Sequence, residues 1–376
     1  KQKGEPHMDR YGMAAVFKGP NRNFEIREYP VGKPQPGNVL LKLEYSGICG
    51  TDIHICKGKL PMPAWDLIIG HEFTGKIEAV GKSVTKDALG GKIKTGDSAI
   101  ACVAIPCGVC FCCGRGEVSS CMNFGVTYLK NPADNPHFHG GYGEYLFSPS
   151  ENVVRVPEGV SAKSAAAFPC GGPTVIRACK YAGGLEKGEL VVVQGTGSLG
   201  IFAVAWAVSH GCKVIAIGSS SNPERTRIVE KLGAEMVLDY RKVPREERLK
   251  KVQEFAKANG RGNGADVIIE TSGSPDAFPE GLDLVRTRGR YIVPGQYSSS
   301  GGVQVNPELI TFKAIRITGS GQYCMDDLGT YLEFLGNNKR TQKIFEECIT
   351  HEYKIKDADL AIADVAAGKA IKAVFI

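Results

Sequence analysis

Five of the 13 cysteines of this chain lie in one run of fifteen residues, CGVCFCCGRGEVSSC (107–121). Thiolates at such short spacing are typical ligands of a tetrahedral structural zinc site, which leaves no position for water or substrate. Four of the cysteines have the regular spacing: Cys107, Cys110, Cys113 and Cys121. Cys112 interrupts this spacing, and we interpret it as a spare thiol. The run therefore predicts a structural metal site.

Two other interpretations of the run are less favourable. Disulfide frameworks are typical of small secreted chains, whereas this chain has 376 residues and an odd number of cysteines. A zinc ribbon that binds nucleic acid needs interleaved basic and aromatic residues, but Arg115 is the only basic residue inside the loop. We therefore expect metal ligands in a reducing compartment and no nucleic-acid partner.

Further metal-binding residue types stand far apart, in the motifs GICGTDIH (47–54), IIGHEF (68–73) and FPCGGPT (168–174). Cys49, His71 and Cys170 would supply two thiolates and one imidazole. Such a set leaves the fourth tetrahedral position open for water or an alcohol, which is the pattern of a catalytic zinc site. Spacing alone does not show that these three residues are neighbours.

A glycine-rich segment, VVVQGTGSLG (191–200), follows a β-branched run and begins a helical pattern. Gly195, Gly197 and Gly200 have the G-x-G-x-x-G spacing of a dinucleotide-binding turn. In such a turn the glycines allow a tight bend, close approach of a pyrophosphate and close packing of helix and strand. We expect Ser198 and Leu199 to contact the cofactor too, and an ordinary strand–helix turn is the alternative.

The next strand, KVIAIG (213–218), is not followed by the acid that binds the ribose 2′-hydroxyl in NAD sites. Ser219, Ser220 and Arg225 follow instead. Hydroxyl groups and a guanidinium could hold a 2′-phosphate, so we favour NADP over NAD. The alternative is a solvated loop with Arg225 on a helix face.

The elements around these motifs change in kind along the chain. From residue 9 to 171, short apolar runs alternate with Gly, Pro and Asn turn signals, which predicts a β-rich domain. From 172 to 317, strands and helices alternate strictly, which predicts β-α-β units and a parallel sheet covered on both faces. We expect the last segment, 318–376, to return to the first domain. The predicted fold class is α/β.

The composition agrees with a folded two-domain protein. Hydrophobic residues make up 43% of the chain, and the formal net charge of +6 is spread without a run of like charges. No nucleic-acid arm or membrane patch is therefore expected. Gln194 and three glycines interrupt the most apolar window (190–208), so a bilayer span is not expected and a cytoplasmic location is. The polar first eight residues, KQKGEPHM, suggest a native start at Met8.

Taken together, GHE (70–72), the four-cysteine loop, the glycine loop and the closing GKAIKAVFI (368–376) resemble the zinc-dependent medium-chain alcohol dehydrogenases. The resemblance covers the chain from about Met13 to its end. It implies a GroES-like catalytic domain, a Rossmann-type doubly wound cofactor domain and a homo-oligomer, either a tetramer or a dimer. The implied activity is reversible hydride transfer between an alcohol and NAD(P)+.

The resemblance also implies roles for single residues. Two zinc ions per chain are implied, one catalytic and one structural, with Cys49, His71 and Cys170 as the catalytic ligands. Glu72 would be a carboxylate beside the metal, and Asp52 would orient the histidine ligand. Thr51 would accept the alcohol proton and His54 would pass it towards solvent, while Lys372 is expected at the cofactor. The alternatives are that Thr51 and Asp52 only cap a helix and that His54 is an ordinary surface residue.

The substrate is less defined. Val103 stands where some relatives carry a bulky aromatic residue, so we expect secondary or bulky alcohols. His137 and His139 of a polar insertion (127–141) are expected to face solvent. The alternative function is a non-catalytic nucleotide-binding or redox-sensing protein, which gives no reason for an open set of two cysteines and one histidine.

Overall fold

The computed structural model describes residues 10–102, 104–298 and 300–376, so Met8 and Val103 lie outside the described residues. The first part of the chain is mostly strands, as its turn signals predict. The strands are β1 (Tyr11–Val16), β2 (Glu25–Pro30), β3 (Asn38–Gly47), β4 (Glu72–Val80), β5 (Ser98–Ala101), β6 (Ala104–Ile105), β7 (Gly125–Val126), β8 (Tyr145–Pro149) and β9 (Val153–Arg155). The helices are α1 (Gly50–Cys56), α2 (Phe111–Gly114) and α3 (Ala162–Ala167).

The middle part alternates helix and strand. Its strands are β10 (Leu190–Gln194), β11 (Lys213–Gly218), β12 (Met236–Asp239), β13 (Ala265–Glu270), β14 (Val285–Val293) and β15 (Arg316–Gly319). Its helices are α4 (Gly171–Tyr181), α5 (Ser198–Ser209), α6 (Pro223–Leu232), α7 (Arg245–Ala258), α8 (Ala277–Leu284) and α9 (Pro307–Lys313). The last part contains α10 (Met325–Asn337), α11 (Lys339–Cys348), β16 (Ile349–Tyr353), α12 (Ala358–Ala366) and β17 (Lys372–Phe375).

Six strands of the middle part form one parallel sheet in the order β12-β11-β10-β13-β14-β15. Every residue of the central β10 is buried, as expected for a strand with helices on both faces. The order reverses direction between β10 and β13, so the carboxyl ends of these strands border a crevice. The structure confirms the predicted α/β class and its doubly wound sheet.

A second sheet of seven strands has the order β16-β17-β3-β4-β5-β9, with β8 paired to β3. Most of its pairs are antiparallel, and the closing strand β17 pairs with β3 through Val374 and Gly47. The chain therefore returns at its end to the sheet formed by its first part. The domain bounds at residues 171 and 317 stay a prediction.

The largest buried cluster joins the two sheets. Phe202 of α5 lies among aromatic rings of the last part of the chain, with centroid distances of 5.7 Å to Tyr331, 5.6 Å to Phe334 and 6.0 Å to Phe345. Phe202 is fully buried. None of the helices within the described residues has the length and apolar character needed to cross a bilayer.

Candidate metal centres and active site

The four regularly spaced cysteines come together around the short helix α2. The sulfur atoms of Cys107, Cys110, Cys113 and Cys121 all lie within 4.8 Å of one another. Backbone N–H groups point at them: the Cys107 N–H donates to Cys121 Sγ at 3.2 Å and the Met122 N–H donates to Cys110 Sγ at 3.5 Å. The N–H groups of Cys113 and Met122 lower the pKa of Cys110 to about 6. Four thiolates supported in this way fit a closed zinc site.

Cys112 is not part of this group of four sulfurs. Its side chain is half-buried, but its sulfur does not join the four that lie within 4.8 Å of one another. The structure thus agrees with Cys112 as a spare thiol.

The scattered set also converges. One ligand atom each from Cys49, His71, Glu72 and Cys170 lies within 4.8 Å of the others. Cys49 stands directly before α1, His71 and Glu72 stand where β4 begins, and Cys170 stands directly before α4. Two sulfurs and an imidazole fit zinc, and a carboxylate lies beside them. Tertiary packing of three elements therefore brings together what the sequence keeps far apart.

Asp52 holds two of these residues in place. Its carboxylate is fully buried, Oδ2 accepts the Cys49 N–H at 2.8 Å, and Oδ1 lies 3.4 Å from His71 Nδ1. Burial alone would lower the pKa of His71, but the charges of Asp52 and Cys49 outweigh burial and raise this pKa. Because Nδ1 faces Asp52, the other ring nitrogen, Nε2, is left for a metal.

Lys372 contacts the carboxylate of this site. Its ammonium forms an ion pair with Glu72 and lies 3.4 Å from the Ile48 carbonyl oxygen, and both charged side chains are buried. Burial raises the pKa of Glu72 to about 7. A buried ammonium group needs a counter-charge, and Glu72 supplies it. The expected contact of Lys372 with the cofactor stays a prediction.

A cavity of about 650 Å³ opens beside the converged set. The first part of the chain contributes Cys49, Thr51 and His54 to its lining. The middle part contributes Ser198, Leu199, Thr271 and Gln296, and the last segment contributes Tyr323. Thr51 Oγ1 donates to Gln296 Oε1 at 2.9 Å and lies 3.9 Å from Cys49 Sγ. Burial lowers the pKa of His54. Both expected relay residues line the cavity, but no hydrogen bond joins them within the described part of the chain.

The glycine loop has the geometry that its spacing predicts. Gly195 has a φ of +106°, a conformation that side chains disfavour. A Cβ on Gly200 would overlap the carbonyl oxygen of Gly195, whereas a Cβ on Gly197 would meet no described atom within 4 Å. The open space in front of Gly197 lies at the N-terminus of α5, where backbone N–H groups suit a pyrophosphate.

The three residues expected at a 2′-phosphate have other partners. Ser220 Oγ donates to the Asp239 carboxylate at the end of β12, and Ser219 Oγ donates to Ser221 Oγ at 2.9 Å. Arg225 Nη2 donates to the Ala370 carbonyl at 3.0 Å, while its Nε has no partner among the described residues. The hydrogen bond from Ser220 lowers the pKa of Asp239, so this position carries a negative charge.

Two further features differ from the sequence analysis. His139 is only 4% exposed, and its Nε2 lies 3.1 Å from the Asp134 carbonyl oxygen, so the expectation that it faces solvent is wrong. This hydrogen bond satisfies the buried ring.

The sequence analysis missed Gln296 because this residue lies in a loop outside any motif. Only its place after β14, at the carboxyl edge of the sheet, could have indicated it.

Comparison with known proteins agrees with this geometry. Residues 35–158 match the family model of the alcohol dehydrogenase GroES-like domain, and residues 198–337 match that of the zinc-binding dehydrogenases. A sorbitol dehydrogenase from Halalkalibacterium halodurans is 31% identical, over 93% of this chain and 94% of its own. A 5-exo-hydroxycamphor dehydrogenase from Pseudomonas putida is 32% identical, over 97% and 98%.

Among solved structures, an alcohol dehydrogenase from Thermotoga maritima superimposes with a TM-score of 0.87 at 28% identity, over 97% of this chain and 99% of its own. The chain belongs to the zinc-dependent medium-chain dehydrogenase/reductase superfamily. It is an oxidoreductase of the type that acts on CH–OH groups.

Proposed function

We propose that the protein is a zinc-dependent alcohol dehydrogenase that reversibly transfers a hydride between an alcohol and a nicotinamide cofactor, giving an aldehyde or a ketone. One observation carries this proposal. Cys49, His71 and Cys170 converge at a cavity that also contains Ser198 and Leu199 of the glycine loop. A metal and a dinucleotide bound at these two positions would share one cavity with a small substrate.

Cys49, His71 and Cys170 would hold a zinc ion, which would supply the Lewis-acid polarisation that lowers the pKa of an alcohol. The surrounding residues have separate tasks. Asp52 fixes the His71 ring and the Cys49 backbone. Thr51 accepts the proton of the alcohol as its own hydroxyl proton leaves, and His54, which lines the same cavity, carries a proton on to solvent. Burial lowers the pKa of His54, so its ring is neutral before it takes up the proton. The second zinc, at the four-cysteine group, is structural.

We propose NAD as the cofactor, in place of the NADP that the sequence favoured. The reason is the Asp239 carboxylate bonded to Ser220, because a negative charge at this position repels a 2′-phosphate and can accept a hydrogen bond from a 2′-hydroxyl. The related sorbitol and hydroxycamphor dehydrogenases support a secondary or bulky alcohol as substrate. We further propose a cytoplasmic homo-oligomer, a dimer or a tetramer, without a nucleic-acid or membrane partner.

The test is reduction of NAD and of NADP by the zinc-loaded protein with primary, secondary, cyclic and polyhydroxy alcohols. The proposal predicts cofactor reduction that depends on the alcohol, with NAD preferred and secondary alcohols better than primary ones. Binding of NAD without reduction by any alcohol would instead indicate the non-catalytic nucleotide-binding protein. A preference for NADP would overturn the assignment of Asp239 alone.

A further inference from the structure

We propose that Gln296 determines substrate specificity by binding a second oxygen atom on the carbon next to the reacting carbinol. Vicinal diols, and the matching α-hydroxy ketones and diketones in the reverse direction, are the substrate class that this contact selects. The inference rests on the proposed function and goes beyond it, because it assigns a substrate feature to one residue.

Gln296 reaches the reacting centre from the opposite wall of the cavity. It follows β14 in the Rossmann part, and its Oε1 accepts the Thr51 hydroxyl of α1 at 2.9 Å. Thr51 Oγ1 in turn lies 3.9 Å from Cys49 Sγ. The amide group is therefore one hydrogen bond away from the residue that takes the carbinol proton. A substrate oxygen atom that contacts this amide is therefore bonded to the carbon next to the reacting carbinol carbon, and not to a more distant carbon.

The backbone beneath this side chain is closely packed. Gly273 has a φ of +63°, and a Cβ at this glycine would overlap the carbonyl oxygen of Gln296. The loop that carries Gln296 therefore lies directly against the turn after β13. Close packing of this kind fixes the backbone from which the exposed Gln296 side chain extends, and the hydrogen bond from Thr51 positions its amide, as a selective contact requires.

The donor end of the Gln296 amide has no partner in the described part of the chain, so a ligand can take that place. Oε1 is engaged by Thr51, whereas Nε2 has no hydrogen-bond partner among residues 10–102, 104–298 and 300–376. The same cavity is lined by apolar side chains, including Val126, Leu199 and Pro294. When a substrate excludes water from such a cavity, an unpaired amide donor costs free energy, and a substrate oxygen removes that cost.

A second glutamine extends the polar surface. Gln322 also lines the cavity, and its Oε1 accepts the Tyr323 N–H at 3.1 Å, so its Nε2 is likewise without a described partner. Two amide donors at one cavity suit a substrate with several oxygen atoms better than a hydrocarbon chain. Gln296 is the selective one, because it alone contacts Thr51.

The experiment compares butane-2,3-diol with butan-2-ol as substrates of the zinc-loaded, full-length protein and of Gln296→Leu, with NAD. The wild type should show a kcat/KM for the diol about tenfold higher, which corresponds to about one hydrogen bond. Gln296→Leu should lower this ratio to about one. The loss of the Thr51 contact affects both substrates, so the ratio isolates the amide donor.

Gln296→Glu is the matched variant for the reverse reaction, because it keeps an oxygen for Thr51 and removes the N–H donor. We expect it to lower the rate ratio of butane-2,3-dione to butan-2-one, since a carboxylate cannot donate to a second carbonyl. Unfolding temperature and NAD affinity, measured for each variant, show that the fold is intact.

Equal diol-to-alcohol ratios in the wild type and Gln296→Leu would overturn the inference and leave Gln296 as a contact that only holds Thr51. Failure of the wild type to oxidise either alcohol would instead overturn the proposed function, and the inference with it.

Discussion

Asp52 serves two parts of the site with one buried carboxylate. Its Oδ2 completes the N-terminal capping arrangement of α1 by accepting the Cys49 N–H, and its Oδ1 faces His71 Nδ1. Asp52 can therefore cap α1 and orient His71 at the same time, although the sequence presented these two roles as alternatives. A single residue couples the start of α1 to the start of β4, and with them two of the candidate metal ligands.

Single substitutions in the glycine loop can separate an effect on cofactor affinity from an effect on the stability of the fold. Gly197→Ala meets open space and has an ordinary backbone φ of −80°, so the unfolding temperature should stay unchanged. NAD affinity should fall by about tenfold or more, because the new methyl group occupies the approach of the pyrophosphate. Fluorescence titration with NADH and thermal unfolding measure the two effects.

Gly200→Ala is the matched variant. Its methyl group would overlap the Gly195 carbonyl, so helix α5 must move away from β10 and the unfolding temperature should fall. Equal stability of the two variants would contradict this account of the loop.

At the scale of elements, the sequence predicted a metal site within one loop more completely than a metal site whose residues come from distant elements. The four cysteines of residues 107–121 form one loop, so their spacing alone predicted a metal site. Cys49 and Cys170 precede different helices and His71 begins a strand, so only resemblance to a family connected them. The contacts Lys372–Glu72 and Gln296–Thr51 were not predictable, because each depends on the packing of elements distant in sequence.

The four-cysteine loop contains a predicted zinc ligand, Cys113, and next to it a cysteine outside the group of four, Cys112, which serves as the control. Cys113→Ser should remove one zinc per chain and lower the unfolding temperature, because the free energy of metal binding is coupled to folding of the loop. Cys112→Ser should keep both zinc ions and the stability of the wild type, since its sulfur lies outside the group of four. Elemental analysis and calorimetry measure these effects. Loss of zinc from Cys112→Ser would show that this thiol is a ligand.

For the whole molecule, turn signals predicted a β-rich first domain, and the alternation of strands and helices predicted the parallel sheet. The last segment was expected to return to the first domain, and β17 does so by pairing with β3. These patterns did not predict how the last segment packs on the Rossmann part. Phe202 of α5 contacts Tyr331, Phe334 and Phe345 of α10 and α11, so one ring connects a helix of the middle part to the last part of the chain. Such contacts depend on shape, which periodicity does not encode.

Phe202→Ala should therefore destabilise the molecule by about 3–5 kcal/mol, the usual loss for a large buried aromatic residue. Phe202→Leu keeps most of the volume and should cost less. Chemical denaturation followed by circular dichroism gives both values. A loss below about 1 kcal/mol for the alanine variant would show that this ring is not part of a well-packed core.

The most direct test of the central claim combines zinc content with turnover in Cys49→Ser. The account predicts two zinc ions per chain in the wild type and one in the variant, with NAD binding retained and alcohol oxidation lost. Undiminished alcohol oxidation in Cys49→Ser, or an unchanged zinc content, would contradict a catalytic zinc held by Cys49, His71 and Cys170.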